Sequence, residues 1–436
     1  MKRREFVTTA AMTVPLLASP LTASARRQGE RRRRPPNVVL ILADDLGYEC
    51  LRCNNPASPY RTPRLDALAA SGVRFTNAHA TPLCTPTRVQ MMTGKYNFRN
   101  YTEFGALKKG EETFAHLLRG AGYATGIAGK WQLAGSVPGT EQRGEGQLPA
   151  EAGFDEHCLW QVKRLGSRYW NPVLDVNGKH LPAQAGAYGP DRFAQFAGEF
   201  FERHRDRPFL FYYPMALPHA PWLPTPKSGD VTDAQRREDD PRWFKDCVEY
   251  MDTLVGRLVD RLGALGLAQD TLILFAGDNG TGRPIRTATA GGPYQGGKGR
   301  TTVAGTHVPL IARWAGRSPK GAVCEDLIDF TDVFPTLAGA AGAPVPAAHP
   351  RDGRTFLPQI TGAKGTPREW VFCDYNPRWG KAVPARWVMD KRWKLYGDGR
   401  RIDLKNDPDE QKPLKSFPAE AGDVGARFEK VLATLL

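Results

Sequence analysis

The sequence predicts an α/β fold, a mostly parallel sheet sandwiched by helices and followed by a small C-terminal antiparallel-sheet subdomain. Three observations predict it. Continuous apolar runs at residues 37–43, 208–213 and 271–276 have the pattern of strands buried on both faces of a parallel sheet. Helical stretches alternate with these runs, as repeated βα units require. After Gly362, short strand-like runs joined by turns take over, the pattern of antiparallel pairing. A chain of 436 residues with 41% hydrophobic content can bury a large core, and this composition excludes a coiled coil, a wholly disordered chain and a polytopic membrane protein.

Taken in order, the first strand stops abruptly at Asp44-Asp45. Thr62-Pro63 then reads as an N-cap with proline in the first helical position, leading a helix over 64–71. Thr85-Pro86 repeats that signal ahead of 87–93. Residues 112–119 read as a helix closed by Gly120 and Gly122, followed by a short strand ending at Gly129-Lys130. An amphipathic helix at 191–204 precedes the strand at 208–213, and a long helix at 243–265 precedes the strand at 271–276. A further strand at 308–314 and helix at 332–341 follow. The C-terminal part has strands at 370–374, 385–390 and 393–396 and a last helix at 421–436. The Gly-rich stretches 135–150 and 280–300 are too long for simple connections and read as functional loops.

The N-terminus reads as a twin-arginine signal peptide over residues 1–25. Arg3-Arg4 precedes an uncharged stretch from Phe6, and Ala23-Ser24-Ala25 offers a small-residue cleavage site. Residues 26–35 read as an Arg-rich linker, the main domain is expected over 36–362, and the C-terminal subdomain over 363–436. The expected location is therefore the periplasm or the exterior, reached through the twin-arginine translocase. Half of the formal net charge of +14 lies in residues 1–34. The remaining excess suits anionic substrates, and no nucleic-acid partner is expected. Cys50, Cys53, Cys84, Cys158, Cys247, Cys324 and Cys373 make no disulfide framework. The Cys50-x-x-Cys53 pair lacks a second pair at zinc spacing and reads as buried thiols or one local disulfide.

Two polar clusters sit where strands end, Asp44-Asp45 and Asp278-Asn279. In open α/β sheets ligands lie beyond the carboxyl ends of strands, so the clusters can converge there. Close carboxylates repel by roughly 4 kcal/mol per pair at an effective dielectric near 20, a cost that a hard divalent cation removes. Taken singly, each pair is better read as a turn cap, and only the motifs that follow tip the balance. The pentapeptide Cys84-Thr-Pro-Thr-Arg88 is more specific. Composition predicts roughly 0.05 chance occurrences of Cys-x-Pro-x-Arg in this chain. Its cysteine sits at a helix start, where free N–H groups and the helix dipole favour negative charge, and Arg88 returns to the same end. That setting suits a nucleophile attacking an anionic ester.

These residues resemble a known family. The segment from Pro36 through Asp44-Asp45-Leu46-Gly47, the Thr62-Pro63 helix, Cys84-x-Pro-x-Arg88, Gly129-Lys130-Trp131, Pro218-His219-x-Pro221, Gly277-Asp278-Asn279-Gly280, Gly297-Lys298-Gly299 and the segment 403–410 occur in that order. The set is similar to the type I sulfatases of the alkaline phosphatase superfamily. The resemblance implies an alkaline-phosphatase-like sheet and the hydrolysis of sulfate esters to alcohol and inorganic sulfate. It implies that Cys84 is oxidised to formylglycine by a formylglycine-generating enzyme and attacks sulfur as the hydrate. Calcium would be held by Asp44, Asp45, Asp278 and Asn279 and would contact residue 84 as well. Arg88, Lys130 and Lys298 would balance charge. His219 would bind sulfate or protonate the leaving oxygen, with Lys130, Gln132, His219 and Lys298 contacting the substrate.

Two positions depart from the family pattern. The family usually has His where this chain has Gln132, and a carboxamide cannot accept a proton at useful pH. Either His219 or a chain of waters replaces it in sulfate release, or turnover is slow. Near Lys298 the usual Glu-Gly-Gly is Val303-Ala304-Gly305 here. The expected substrate is a sulfated small molecule or a sulfated polysaccharide. For the latter, the loops around Trp131, Trp160, Arg164, Trp170 and Trp222 are candidates to stack on sugars and attract anions, although such tryptophans are more often core or loop anchors. A phosphonate or phosphate ester hydrolase of the same superfamily, and a non-catalytic binder of sulfated polymers, are the competing functions.

Overall fold

The computed structural model describes residues 34–135, 145–347, 349, 350 and 352–435. The signal peptide expected at 1–25, most of the Arg-rich linker and the centre of the 135–150 loop lie outside the described residues.

The strands that place the site are β1 (Asn37–Ala43), β2 (Val73–His79), β3 (Ala124–Lys130) and β4 (Glu156–Trp160). With them stand β5 (Leu174–Val176), β6 (Lys179–Leu181), β7 (Phe209–Pro214) and β8 (Thr271–Gly277). Further along come the small hairpin β9 (Arg286–Thr289) and β10 (Gly292–Gln295), then β11 (His307–Trp314) and β12 (Ala322–Asp329). The large sheet has ten strands in the order β12-β2-β11-β8-β1-β7-β3-β4-β5-β6. Its centre, β8-β1-β7-β3-β4, is parallel throughout. β11 is antiparallel to both β8 and β2, so β2 runs the same way as β8. The carboxyl ends of β1, β2, β3, β7 and β8 therefore share one edge.

Period-two alternation explains the double burial of β1. Val39, Ile41 and Ala43 enter one core and Val38, Leu40 and Leu42 the other. Helices α1 (Pro63–Ala70), α2 (Cys84–Thr93), α3 (Phe114–Gly120), α4 (Gly189–Arg203), α5 (Phe244–Ala264) and α6 (Val333–Ala341) cover the two faces. The expected start of α1 holds, Thr62 followed by Pro63 in the first turn, but neither expected threonine cap bond forms. Thr62 makes no side-chain cap; instead the buried carboxylate of Asp252 on α5 accepts from Arg64 N (3.1 Å) and Leu65 N (2.8 Å), satisfying α1 from outside. Thr85 is not a cap either, because α2 starts at Cys84 and the Thr85 hydroxyl accepts from Gly105 N. The expected 280–300 loop contains the β9–β10 hairpin.

The C-terminal sheet is four-stranded and antiparallel, β13 (Val371–Tyr375), β14 (Ala385–Met389), β15 (Trp393–Tyr396) and β16 (Arg401–Asp403). Alternation again sorts its faces. Val371, Cys373, Tyr375, Trp387 and Met389 pack with Leu83 and Cys84, while Phe372 and Val388 face the last helix, α7 (Val424–Thr434). The small sheet thus buttresses the start of α2. All seven cysteines are unpaired thiols, so the local disulfide at Cys50 and Cys53 is absent. Among the described residues no helix is long and apolar enough to cross a membrane.

Candidate active site

Sheet register fixes the two acidic pairs. Ala43 pairs with Gly277, so Asp44 and Asp278 leave adjacent strands side by side. Asp278 N donates to Ala43 O (3.0 Å), and Asp44 N donates to Leu217 O in the loop after β7 (3.0 Å). Asp45 takes a left-handed φ of 65°, a conformation that Asp tolerates better than most side chains. Its N–H donates to Asp278 Oδ1 (3.0 Å), and Asn279 Nδ2 donates to Asp45 Oδ1 (2.9 Å). A Cβ at Gly280 would collide with Ala304 O. The Val303-Ala304-Gly305 turn therefore braces the Asp278-Asn279 loop, with Gly280 N donating to Gly305 O.

Cations from three other segments close the ring. Arg88, one turn into α2, donates through Nε (3.1 Å) and Nη2 (2.8 Å) to Asp278 Oδ2. Lys130, the last residue of β3, donates through Nζ to Asp44 Oδ2 (2.8 Å) and to the Cys84 sulfur (3.4 Å). Lys298 Nζ donates to Asp45 Oδ2 (2.7 Å) and lies 2.8 Å from His219 Nε2. The Lys298 loop is tied to the cysteine segment by Gly299 N donating to Pro82 O (2.8 Å). Single ligand atoms of Asp44, Cys84 and Asp278 lie within 4.8 Å of one another, as do those of Asp44, Asp45 and His219.

Burial works against ionisation of Asp44, but Lys130, Arg88 and Lys298 outweigh it and hold the carboxyl well below the usual range. Burial likewise opposes ionisation of Asp45, and its neighbours His219 and Lys298 bring it down. Asp278 is pushed up to about 7 by burial and by Asp44, against the pull of Arg88. Three adjacent carboxylates therefore exceed what the protein's own cations stabilise. The Cys84 thiol is raised, chiefly by burial, so it is not a ready thiolate nucleophile. Burial also brings His219 down to about 3 despite Asp45, leaving a neutral imidazole. Its Nε2 faces the Lys298 ammonium, and its Nδ1 lies against both Ala220 O and the Arg168 guanidinium.

The oxygen set fits a hard cation. Asp44 Oδ1 and Asn279 Oδ1 are buried and accept no hydrogen bond. Such orphaned acceptors are costly unless an ion or water completes them.

Asp44, Asp45, Cys84, Arg88, Lys130, His219, Asp278, Asn279 and Lys298 are thus brought together. Gln132, two residues beyond Lys130, makes no side-chain hydrogen bond to any of them. It follows β3 at φ 51°, its Oε1 is buried without a donor, and no hydrogen bond links it to Cys84, Lys130, His219 or Lys298. The tryptophans are anchors, and their expected stacking on sugars is not what the structure shows: Trp131, Trp160 and Trp222 are buried, and with half-buried Trp170 they donate to the backbone carbonyls of Gln147, Gly166, Pro218 and Pro224. Arg164 is exposed. Missed in the sequence are Arg168 and Tyr169. Arg168 Nη2 lies 2.8 Å from His219 Nδ1 and also donates to Ala220 O; Tyr169 OH bonds Ala216 O (2.7 Å) and His219 O (2.5 Å). An Arg in an irregular, aromatic-rich stretch carries no pattern that singles it out.

A doubly wound sheet with an acidic, cation-ringed centre at its strand ends defines a hydrolase of anionic esters. Comparison with known proteins narrows the class. The family model described as Sulfatase matches residues 36–343. Human arylsulfatase A is 33% identical over 378 residues, covering 78% of this chain and 70% of that protein. Mouse steryl-sulfatase is 31% identical over 452 residues, covering 83% and 71%. The solved complex of Ps i-CgsB with k-i-k-neocarrahexaose shares the fold at a TM-score of 0.75 and 24% identity, covering 92% of this chain and 93% of the other. The chain belongs to the sulfatase family and is a sulfuric ester hydrolase.

Proposed function

We propose that this sulfatase releases inorganic sulfate from sulfated carbohydrates, with formylglycine formed from Cys84 and calcium held by Asp44, Asp45, Asp278 and Asn279. The observation that carries the reading is the pair of orphaned buried oxygens, Asp44 Oδ1 and Asn279 Oδ1, beside two further carboxylates and residue 84. Oxygen donors without hydrogen-bond partners are what calcium prefers, and residue 84 would complete the set. Calcium there would polarise a sulfate oxygen and relieve the carboxylate repulsion. Formylglycine would supply, as its hydrate, the oxygen nucleophile that the buried thiol does not. The fold shared with a protein solved with k-i-k-neocarrahexaose supports a carbohydrate substrate.

The chain's own residues divide the work in this reading. Arg88, 2% exposed, neutralises Asp278 and Asp44 and touches no substrate. Lys130 Nζ, between Asp44 and residue 84, and Lys298 Nζ, between Asp45 and His219, would bind sulfate oxygens. Lys298 Nζ lies 2.8 Å from His219 Nε2, and in this reading that pair would deliver a proton to the leaving oxygen. Gln132 would contact substrate without taking a proton.

Peptide mass spectrometry of residue 84, in protein coproduced with a formylglycine-generating enzyme, tests the nucleophile. Release of sulfate and phosphate from matched aryl esters tests the reaction. The expected result is conversion of Cys84 and sulfate release that Cys84→Ala abolishes. An unmodified thiol in active enzyme overturns the reading. Faster phosphate release would favour the phosphate or phosphonate hydrolase, and tight binding of sulfated polymer without release would favour the non-catalytic binder. We also propose export by the twin-arginine translocase to the periplasm or beyond. Arg3→Lys with Arg4→Lys should leave active precursor inside the cell, and undiminished secretion would contradict that route.

A further inference from the structure

We propose that a cleft beside Lys298 is a second anion-binding subsite, which receives the leaving alcohol of the sulfate ester when that alcohol carries another oxyanion, a sulfate or a carboxylate. This rests on the reading above for the scissile sulfate and adds a requirement at the far end of the ester. The cleft, of about 350 Å³, runs from Leu83, Lys298 and Tyr375 to the turn holding Trp379 and Lys381. Leu83 precedes Cys84, and Lys298 Nζ is bonded within the acidic centre, so the cleft begins at the site where sulfate would sit. An ester bound there has its alcohol directed along it.

The lining is cationic beyond what the centre uses. Arg88, Lys130 and Lys298 already match Asp44, Asp45 and Asp278 in number, so Arg283 and Lys381 are surplus. Neither has a carboxylate within 4.0 Å among the described residues. Arg283 is nonetheless held in place: its Nε donates to Lys298 O (2.8 Å), and its Nη2 crosses Gly299 where a Cβ would stand 3.1 Å away. Gly299, at φ 75°, leaves that room. A guanidinium anchored through Nε keeps its outer N–H groups for an oxyanion. Trp379 provides the flat wall, stacked on Phe104 at 4.7 Å and 22° and therefore fixed before a ligand arrives. An indole face suits a sugar or aromatic ring. The preferred substrate is then a ring alcohol with two oxyanions, one cleaved and one bound by Arg283 and Lys381.

The test uses the full chain carrying the matured residue 84 and two esters of matched size, 3-carboxyphenyl sulfate and 3-carbamoylphenyl sulfate. Sulfate release gives kcat/KM for each. The wild type should favour the carboxylate about tenfold or more, mainly through KM, and added salt should shrink the ratio. Lys381→Gln and Arg283→Gln should each bring the ratio towards one, and Arg283→Lys should retain part of it. A wild-type ratio near one, or a ratio that survives both Gln substitutions, overturns the subsite while leaving the sulfatase centre intact. Release from neither ester would instead show that the centre itself was misread, and the subsite would fall with it.

Discussion

Replacing Arg88 with methionine tests whether charge holds the strand-end centre together. Methionine keeps much of the stem and removes the guanidinium. In the wild type Nη2 lies 2.8 Å from Asp278 Oδ2 and 3.7 Å from Asp44 Oδ1, with all three side chains at most 2% exposed. At an effective dielectric near 20, Coulomb's law gives roughly 6 and 4.5 kcal/mol for the two attractions. Desolvating the ions offsets much of that sum. Removing one partner from a buried pair still costs about 3–5 kcal/mol, because the carboxylate left behind is uncompensated. A divalent cation neutralises the same carboxylates, so the loss should be smaller when calcium is bound. Urea unfolding of wild type and Arg88→Met, each in EDTA and in saturating calcium, measures both effects. The expected deficit is about 3–5 kcal/mol in EDTA and at least about 1 kcal/mol less in calcium. A deficit below about 1 kcal/mol in EDTA would refute the charge argument. Equal deficits in both media would detach Arg88 from the ion site.

Chelation should abolish sulfate release, and calcium at a thousand times its Kd should add about 4 kcal/mol of stability in thermal-shift assays; Asp44→Asn and Asn279→Ala should weaken that response. Asp252, the outside cap of α1, is raised by burial to about 6, so its contribution is complete below about pH 4 and lost as pH rises through about 6. From an ordinary value of 3.8, that predicts a fall of about 3 kcal/mol across the window, and a flatter stability profile in Asp252→Asn measured by urea unfolding. Gln132 cannot take a proton, so stopped-flow assays should show a burst of alcohol ahead of slow sulfate release, and Gln132→His should raise the steady rate and reduce the burst. Wild type without a burst would assign that proton to another group.

What the sequence disclosed follows from which residues carry local signals. β1, β7 and β8 stood out because burial on both faces leaves an unbroken apolar run. β2 and β12 did not. The residues Val-Arg-Phe-Thr-Asn-Ala-His of β2 mix buried with half-buried positions, and β12 at the sheet edge carries Cys324, Glu325 and Asp326. Only pairing with distant strands makes them strands. Site residues tied to strand ends or to the Cys-x-Pro-x-Arg pentapeptide were legible. Trp379 was not, because its value lies in a cleft assembled from four separate stretches of chain. Asp252 did leave a trace, a carboxylate on the apolar face of α5 between Met251 and Leu254. A buried charge there requires a partner, and two helix-terminal N–H groups are that partner.

The side-chain types in the centre follow from where each strand lies. Neighbouring strands are about 4.8 Å apart. Asp44 and Asp278 leave adjacent strands, so short carboxylates meet without reaching, and a longer acid at either position would overrun the space between them. Lys130 ends β3, which is separated from β1 by β7, a lateral distance of roughly 9.6 Å. A four-carbon stem is what spans that gap and brings Nζ within 2.8 Å of Asp44. Lys298 and His219 come from loops whose backbones are pinned to the Cys84 segment and to Tyr169, so their approach to Asp45 is set by those ties rather than by the sheet. Two kinds of positioning therefore meet at one point. The carboxylates, Lys130 and Arg88 are fixed by packed secondary structure, and the groups that would handle the leaving oxygen ride on braced loops. Substitution at Tyr169 or Arg168 should accordingly disturb His219 and leave Asp44, Asp278 and Asn279 in place.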